Sequence, residues 1–228
     1  MTTPNYSTGN DRFDTEAATW DTKPEVVLSS KLCLESILAH TSSHFPALSS
    51  SSVLEIGCGT GLLTIRLAQH VRNILALDTA QGMISMLNAK IDANGLTEKV
   101  RAKVKLLEDP KDDVLESKEW DAVVSHLVFH HVPDMLELVK VMFGTLKQGG
   151  RIWISDFEDN GVQAEAFHPK DKHAGVERHG LKRRDMEDIL TKAGFKKVEV
   201  LTSFTMDKEV ESGGVQAFPF LAITGIKP

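Results

Sequence analysis

Three glycines at alternating positions have the spacing most clearly suited to chemistry. Gly57, Gly59 and Gly61 follow an apolar run at 53–56, and Glu55 stands two residues before the first of them. Glycines after a buried strand let the backbone turn sharply and let a ligand approach without a Cβ in the way. Glu55 would repel a pyrophosphate but would accommodate a ligand that carries an ammonium group.

The same loop argues against the two common phosphate-binding motifs. A dinucleotide loop of the form G-x-G-x-x-G would need its third glycine where Leu62 stands, and a Walker A loop would need a Lys-Ser/Thr pair that is missing here. A dehydrogenase is the residual alternative, and it would have to bind NAD despite the misplaced glycine.

Strands and helices are predicted to alternate around this loop. The apolar runs predict strands at 53–56, 74–77, 100–107, 122–124, 152–154, 198–201 and 220–226, and helices from Pro24 to about His40 and at 62–71, 83–91, 135–146 and 182–193. This alternation favours a mostly parallel sheet with helices on both faces. The segment 157–180 has no clear period, which in a compact domain is typical of a functional lid, and 207–216 is predicted to connect the last two strands.

The composition is that of one soluble globular α/β domain: 228 residues, 41% hydrophobic and 25% charged. A net charge of −6 disfavours a nucleic-acid partner. The two cysteines, Cys33 and Cys58, offer no CxxC pair and no disulfide framework. No run approaches the roughly 18 apolar residues of a membrane span. We therefore expect a cytoplasmic protein with access to the nucleus, and a mobile polar start over 1–12.

The motif Glu55-x-Gly57-x-Gly59-x-Gly61 resembles motif I of the class I S-adenosylmethionine-dependent methyltransferases, especially the ubiquinone/menaquinone-type, small-molecule group. Residues 146–152 are similar to the family's L-K-P-G-G turn, with glutamine in place of the usual proline. The resemblance implies a Rossmann-like seven-stranded sheet of order 3-2-1-4-5-7-6 whose last strand is antiparallel. It also implies one domain over 1–228, with an N-terminal lid and helix at 13–45 and a substrate-side insertion at 157–180.

The resemblance implies S-adenosylmethionine as the cofactor and suggests which residues contact it. Asp78 would accept hydrogen bonds from the ribose hydroxyls, although it could also cap the helix that follows. Thr79 and Met83 would lie beside the adenosine. Asp109 is favoured for the adenine amino group, and the adjacent Glu108 stays open as an alternative.

Two further cofactor contacts follow from the same resemblance. Ser125 would border the methionine part of the cofactor, at the end of the fourth strand. The run from Ala17 to Asp21 resembles an A-x-x-W-D entry segment, in which Trp20 would fold over the cofactor. The alternative for Trp20 is a hydrophobic contact with the first helix.

Catalytic residues must come from the acceptor side, because a methyl sulfonium is already activated and needs mainly alignment with its acceptor. His130 and His131 are the leading candidates for a general base, with a packing role as the alternative. His168, His173 and His179 lie in the predicted lid, and one of them could line the acceptor pocket. We expect no metal site, since these histidines show no compact ligand spacing with cysteine or glutamate.

The predicted function is methyl transfer from S-adenosylmethionine to a small molecule, which yields S-adenosylhomocysteine. A small acceptor is favoured because the sequence shows no appended substrate domain. A protein methyltransferase is one alternative. A second is a non-catalytic S-adenosylmethionine-binding regulatory subunit that works with a protein partner, and a homodimer also remains open.

Overall fold

The computed structural model describes residues 7–40, 48–173 and 175–228. The strands it contains there form one seven-stranded sheet of order β3-β2-β1-β4-β5-β7-β6. Their bounds are β1 Ser52–Ile56, β2 Asn73–Asp78, β3 Val100–Val104, β4 Trp120–His126, β5 Leu146–Phe157, β6 Lys196–Glu209 and β7 Val215–Ile226. The first five strands pair in parallel, and β7 is antiparallel to both β5 and β6. The predicted fold class is confirmed.

Helices cover both faces of this sheet. Within the described residues they are α1 Ser7–Trp20, α2 Pro24–Ala39, α3 Leu62–Leu67, α4 Gln81–Ala93, α5 Met135–Thr145 and α6 Arg183–Ala193. One buried cluster joins the sheet to α2, α3 and α4, and a second joins the opposite face to α5 and α6. Burial on both faces explains why the central strands are continuous apolar runs rather than alternating ones.

The last hairpin is much longer than the sequence pattern predicts. Half of the segment 207–216, which is predicted as a connection, extends β6 and β7, which pair as far as Glu209 and Val215 and leave only 210–214 as the turn. One face of this ribbon packs in a third cluster that contains Met206, Phe218 and Phe220. Residues 207–216 themselves are exposed or half-buried, so their sequence lacks the apolar alternation that would indicate a strand. The predicted helix at 62–71 is also shorter and ends at Leu67.

Helix α1 lies across α4 and the end of β2. It begins at Ser7, inside the segment 1–12 that the sequence predicts to be mobile, and residues 1–6 lie outside the described part of the chain. The Asp14 carboxylate accepts a hydrogen bond from the backbone N–H of Gly82 at 2.6 Å. A Cβ at Gly82 would come within 2.9 Å of the Asp14 carbonyl oxygen, so glycine permits this approach.

No helix in the described ranges is long and apolar enough to cross a lipid bilayer.

Candidate active site

The glycine loop runs from the end of β1 into α3 at the carboxyl edge of the sheet. Gly57, Gly59 and Gly61 all have positive φ angles, which disfavour any residue with a side chain. The turn is fixed by the backbone N–H of Gly57, which donates to the Leu77 carbonyl of β2 at 2.7 Å. A Cβ at Gly57 or Gly61 would collide with a neighbouring side chain, whereas at Gly59 it would meet nothing within 4 Å. Gly59 therefore presents bare backbone to open space, as a closely approaching ligand requires.

Asp78 ends β2 beside this loop, because β1 and β2 are paired in register. Its Oδ2 accepts from the N–H of Gly59 at 2.8 Å, and its Oδ1 accepts from the N–H of Ala80 at 2.9 Å. Burial raises the pKa of Asp78, and these backbone hydrogen bonds oppose the rise. Each oxygen keeps a second lone pair, so the fixed carboxylate can still accept from ligand hydroxyls. The alternative that Asp78 caps the next helix is wrong, because the N-cap residue of α4 is Ala80 and no side chain caps it. The ribose role of Asp78 stays a prediction.

Glu55 is a buried carboxyl group beneath the glycine loop. It is 2% exposed, and its Oε2 lacks a hydrogen-bond partner. Burial, together with the nearby Asp78 carboxylate, raises the pKa of Glu55 to about 8. A buried carboxyl oxygen without a partner costs free energy unless a donor reaches it. A ligand's ammonium group would supply that donor and would favour the ionised form of Glu55, so this position suits it. The orphaned oxygen and the open face of Gly59 both fit S-adenosylmethionine.

Helix α1 carries one predicted contact residue, Trp20, and covers two others, Met83 and Thr79. Trp20 and Met83 lie in a small apolar cluster between α1 and α4, where Met83 is buried. The Thr79 hydroxyl donates to the side-chain oxygen of Asn10 at 2.6 Å. The end of α1 also meets the glycine loop, where Asp21 accepts from the Thr60 hydroxyl at 2.5 Å. The predicted entry segment therefore closes over this edge, and Asp21 is a contact that the sequence analysis did not single out.

The remaining predicted cofactor residues differ in how accessible they are. Ser125 is fully buried and its hydroxyl donates to the Ile56 carbonyl at 2.9 Å, so it braces β4 against β1. Asp109 is exposed, and its Oδ1 accepts from the N–H of Lys111 at 2.8 Å. Glu108 is exposed as well. A cofactor contact by any of these three residues stays a prediction.

His130 and His131 form a short 3-10 turn after β4, at the same edge as the glycine loop. His130 is buried, and its Nδ1 lies 2.9 Å from Oδ1 of Asp156, a buried residue of β5. Its backbone N–H donates to the same carboxylate at 3.1 Å. A carboxylate on Nδ1 fixes the tautomer and leaves Nε2 as the reactive nitrogen. The sequence signal for Asp156 was an acidic residue at a strand's carboxyl end, and the sequence analysis gave it no role.

The lid segment brings a third histidine to this pair. The ring centroid of His168 lies 5.0 Å from that of His130 and 6.1 Å from that of His131. Burial, with a smaller contribution from His130, lowers the pKa of His131 to about 3 and that of His168 to about 2. Both rings are therefore neutral near pH 7. His173 and His179 pair with each other instead, with ring centroids 4.7 Å apart.

Arg178 holds the histidine turn in place. Its Nη1 donates to the carbonyl oxygens of Phe129 and Val132 at 2.5 and 2.6 Å, and its Nη2 donates to that of Pro133 at 3.2 Å. The Phe129 carbonyl also accepts from the N–H of Val132 within the turn, so Arg178 adds a second donor there and ties the turn to the two residues that follow it. Arg178 is not predicted from the sequence, because an arginine in an aperiodic segment gives no signal of what it binds.

The sequence model of a family described as "Methyltransferase domain" matches residues 54–154, from β1 to β5. This part of the chain is similar to a methyltransferase domain. The matched region contains the glycine loop, Asp78 and the histidine turn. The predicted family resemblance is confirmed.

Curated relatives agree with this assignment. An uncharacterized methyltransferase of Schizosaccharomyces pombe is 31% identical over 137 residues, which are 58% of this chain and 48% of the relative. A ubiquinone biosynthesis O-methyltransferase of Rickettsia felis is 29% identical over 122 residues, 54% of this chain and 48% of the relative. The chain thus spans about half the length of the curated relatives it matches.

A solved structure shares the fold at low sequence identity. It is phosphoethanolamine N-methyltransferase 2 of Haemonchus contortus in complex with phosphomonomethylethanolamine and S-adenosylhomocysteine. The TM-score is 0.63 at 16% identity, over 85% of this chain and 52% of that one. This likeness supports the fold of the methyltransferase domain.

Proposed function

We propose that this protein transfers a methyl group from S-adenosylmethionine to a small-molecule acceptor and releases S-adenosylhomocysteine. The observation that carries the proposal is the pairing of Gly59 and Asp78 at the carboxyl edge of β1 and β2. In open α/β sheets, ligands bind outside the carboxyl ends of the strands, where the strand order reverses. Here the order reverses between β1 and β4, next to the glycine loop.

Each cofactor group has a matching feature in the cleft. The backbone at Gly59 allows close approach of the ligand, the Asp78 carboxylate accepts from the ribose hydroxyls, and the orphaned oxygen of Glu55 receives the ammonium group. The cofactor supplies a sulfonium-activated methyl group. The chain has to hold the acceptor in line with that methyl group and exclude water, which closure by α1 assists.

The acceptor side is the histidine turn together with the lid. His130, oriented by Asp156, and its neighbour His131 lie on the same edge as the glycine loop, where a base could take a proton from the acceptor. The lid is held to α1 by Glu16, whose carboxylate is 2.7 Å from the Lys172 ammonium. Small acceptors are favoured because the matched relative from Rickettsia felis is named as a ubiquinone biosynthesis enzyme. In addition, the end of α1 contacts the glycine loop and the segment after β5 contacts the histidine turn, which leaves this edge of the sheet partly covered.

The test is production of S-adenosylhomocysteine by the purified chain. The chain is incubated with S-adenosylmethionine and a panel of phenols, catechols, thiols and amines, with a folded protein mixture as a separate arm. The proposal expects turnover with at least one small molecule and its loss in Asp78→Ala, while Asp188→Ala, at an exposed carboxylate of α6, keeps it. Turnover with the protein mixture alone would favour a protein methyltransferase. No turnover in any arm, with cofactor binding intact, would favour a non-catalytic S-adenosylmethionine-binding regulatory subunit.

A further inference from the structure

We propose that His130, His131 and His168 bind one divalent transition-metal ion, of which Zn²⁺ is the best fit. The sequence analysis expected no metal site, because the three residues do not form a compact ligand motif along the chain. Folding brings them together: two come from the turn after β4 and one from the lid. Imidazole nitrogen is a preferred ligand of zinc and of other first-row divalent ions.

The distances place the three rings around one point. One ring nitrogen from each residue can be chosen so that all three lie within 4.8 Å of one another. Tetrahedral coordination with metal–nitrogen bonds of about 2.0–2.1 Å needs nitrogens about 3.3 Å apart. The widest of these separations has to close by up to about 1.5 Å to reach that geometry. His168, which follows a short 3-10 turn between β5 and α6, is the ligand best placed to move.

Two of the three rings already have the outer partners that metal-binding histidines use. A ligand histidine commonly donates its second ring N–H to a carboxylate or a backbone carbonyl, which fixes its tautomer. Nδ1 of His130 lies 2.9 Å from the Asp156 carboxylate, and Nδ1 of His131 lies 2.6 Å from the Gly175 carbonyl oxygen. Both rings therefore keep Nε2 for an ion.

The ring of His168 gives a further, independent observation in favour of an ion. Nδ1 of His168 is buried and has no hydrogen-bond partner. A buried nitrogen left without a partner costs free energy, and an ion among the three rings would supply one. The Asp156 carboxylate contributes the negative charge that an ion needs in this position, whereas the nearby Lys208 ammonium and Arg12 guanidinium oppose it.

Such an ion would change how the acceptor is activated, a consequence that rests on the proposed function. Three protein ligands leave a fourth position open, as in catalytic zinc sites. An acceptor hydroxyl or thiol bound there releases its proton to solvent. Its lone pair forms the new bond to the methyl carbon while the carbon–sulfonium bond breaks, and the bonding pair stays on sulfur. Nε2 of His130 is then a metal ligand and no longer the predicted base.

The test is metal binding by the whole chain, measured without any acceptor. After dialysis against a chelator, the protein is titrated with Zn²⁺ in competition with a chromophoric chelator, and with Co²⁺ as a visible-absorption probe. One ion per chain and a Co²⁺ spectrum of four-coordinate type are expected. His168→Gln should weaken Zn²⁺ binding by at least about 100-fold, and Asp156→Asn by about 10- to 100-fold.

His70→Gln is the matched control, because His70 lies after α3 and outside the cluster. It should bind Zn²⁺ as tightly as the wild type. Absence of a stoichiometric ion, or equal affinity in His168→Gln and His70→Gln, would overturn the inference. Circular dichroism of each variant separates loss of a ligand from loss of the fold. Calorimetry with S-adenosylmethionine in the presence of chelator tests the proposed function separately, so failure of one claim leaves the other standing.

Discussion

Replacing Glu55 with glutamine should make the free energy of unfolding fall less as the pH rises. Burial first, and the neighbouring Asp78 second, raise the pKa of Glu55 from 4.5 to about 8. A carboxyl group with a raised pKa binds more protons in the folded state than in the unfolded state. Stability is therefore highest below the unfolded pKa and falls as pH rises towards the folded one.

The magnitude follows from the two pKa values of Glu55. Linkage between protonation and folding gives Glu55 a cost to the free energy of unfolding of about 2 kcal/mol at pH 6 and about 4 kcal/mol at pH 8. Through this group the wild type therefore loses about 2 kcal/mol of stability between pH 6 and pH 8. Glutamine has no such titration. The neighbouring thiols of Cys33 and Cys58 stay protonated over this range, because burial raises the pKa of Cys33 to about 12 and that of Cys58 well above its usual value.

The assay is urea unfolding of wild type and Glu55→Gln at pH 6 and pH 8, with m-values compared to check that both unfold alike. Between pH 6 and pH 8 the free energy of unfolding of Glu55→Gln should rise by about 2 kcal/mol relative to that of the wild type. Glu119→Gln, at an exposed carboxyl group, should show no such change. An unchanged difference for Glu55→Gln would refute the assignment of Glu55 as a buried, protonated group.

Three further predictions concern the cleft and its supports. Gly59→Ala and Gly95→Ala should each lower the free energy of unfolding by about 1 kcal/mol in urea, since both glycines have positive φ and open space for a Cβ. Only Gly59→Ala should weaken S-adenosylmethionine binding, by 10-fold or more in calorimetry. Equal affinities of the two variants would contradict a cofactor site at Gly59. Arg178→Ala should lower the free energy of unfolding by about 2 kcal/mol relative to Arg184→Ala, since the carbonyls of Val132 and Pro133 lose the guanidinium donor and that of Phe129 keeps only the N–H of Val132; no difference would argue against this role of Arg178. S-adenosylmethionine should change the fluorescence of the wild type but not of Trp20→Phe, and a response that persists in the variant would place Trp20 outside the cofactor site.

The parts of the site that the sequence predicts are those fixed by the backbone at strand ends. The glycine loop follows β1 and Asp78 ends β2, and consecutive parallel strands deliver their carboxyl ends to one edge. Spacing along the chain is then enough to place the two side by side. The strand order itself came from the resemblance to a family, and the observed sheet confirms it.

The directions of side chains and their partners far along the chain could not be predicted from the sequence. Ser125 lies at the predicted end of β4, but its hydroxyl points to the Ile56 carbonyl inside the sheet. Asp156 is 26 residues from His130, and only the β4–β5 pairing brings them together. His168 comes from a segment without periodicity, so nothing local indicates which residues it meets. These contacts depend on tertiary packing, which periodicity and spacing do not encode.

The most direct test of the central claim is calorimetric titration of the folded chain with S-adenosylmethionine and, separately, with NAD. The account predicts one S-adenosylmethionine site of about micromolar affinity, no NAD binding, and at least about a 10-fold loss in Asp78→Ala, because charge-assisted hydrogen bonds to the ribose disappear. Failure of the folded wild type to bind S-adenosylmethionine, or equal affinity in Asp78→Ala, would contradict it.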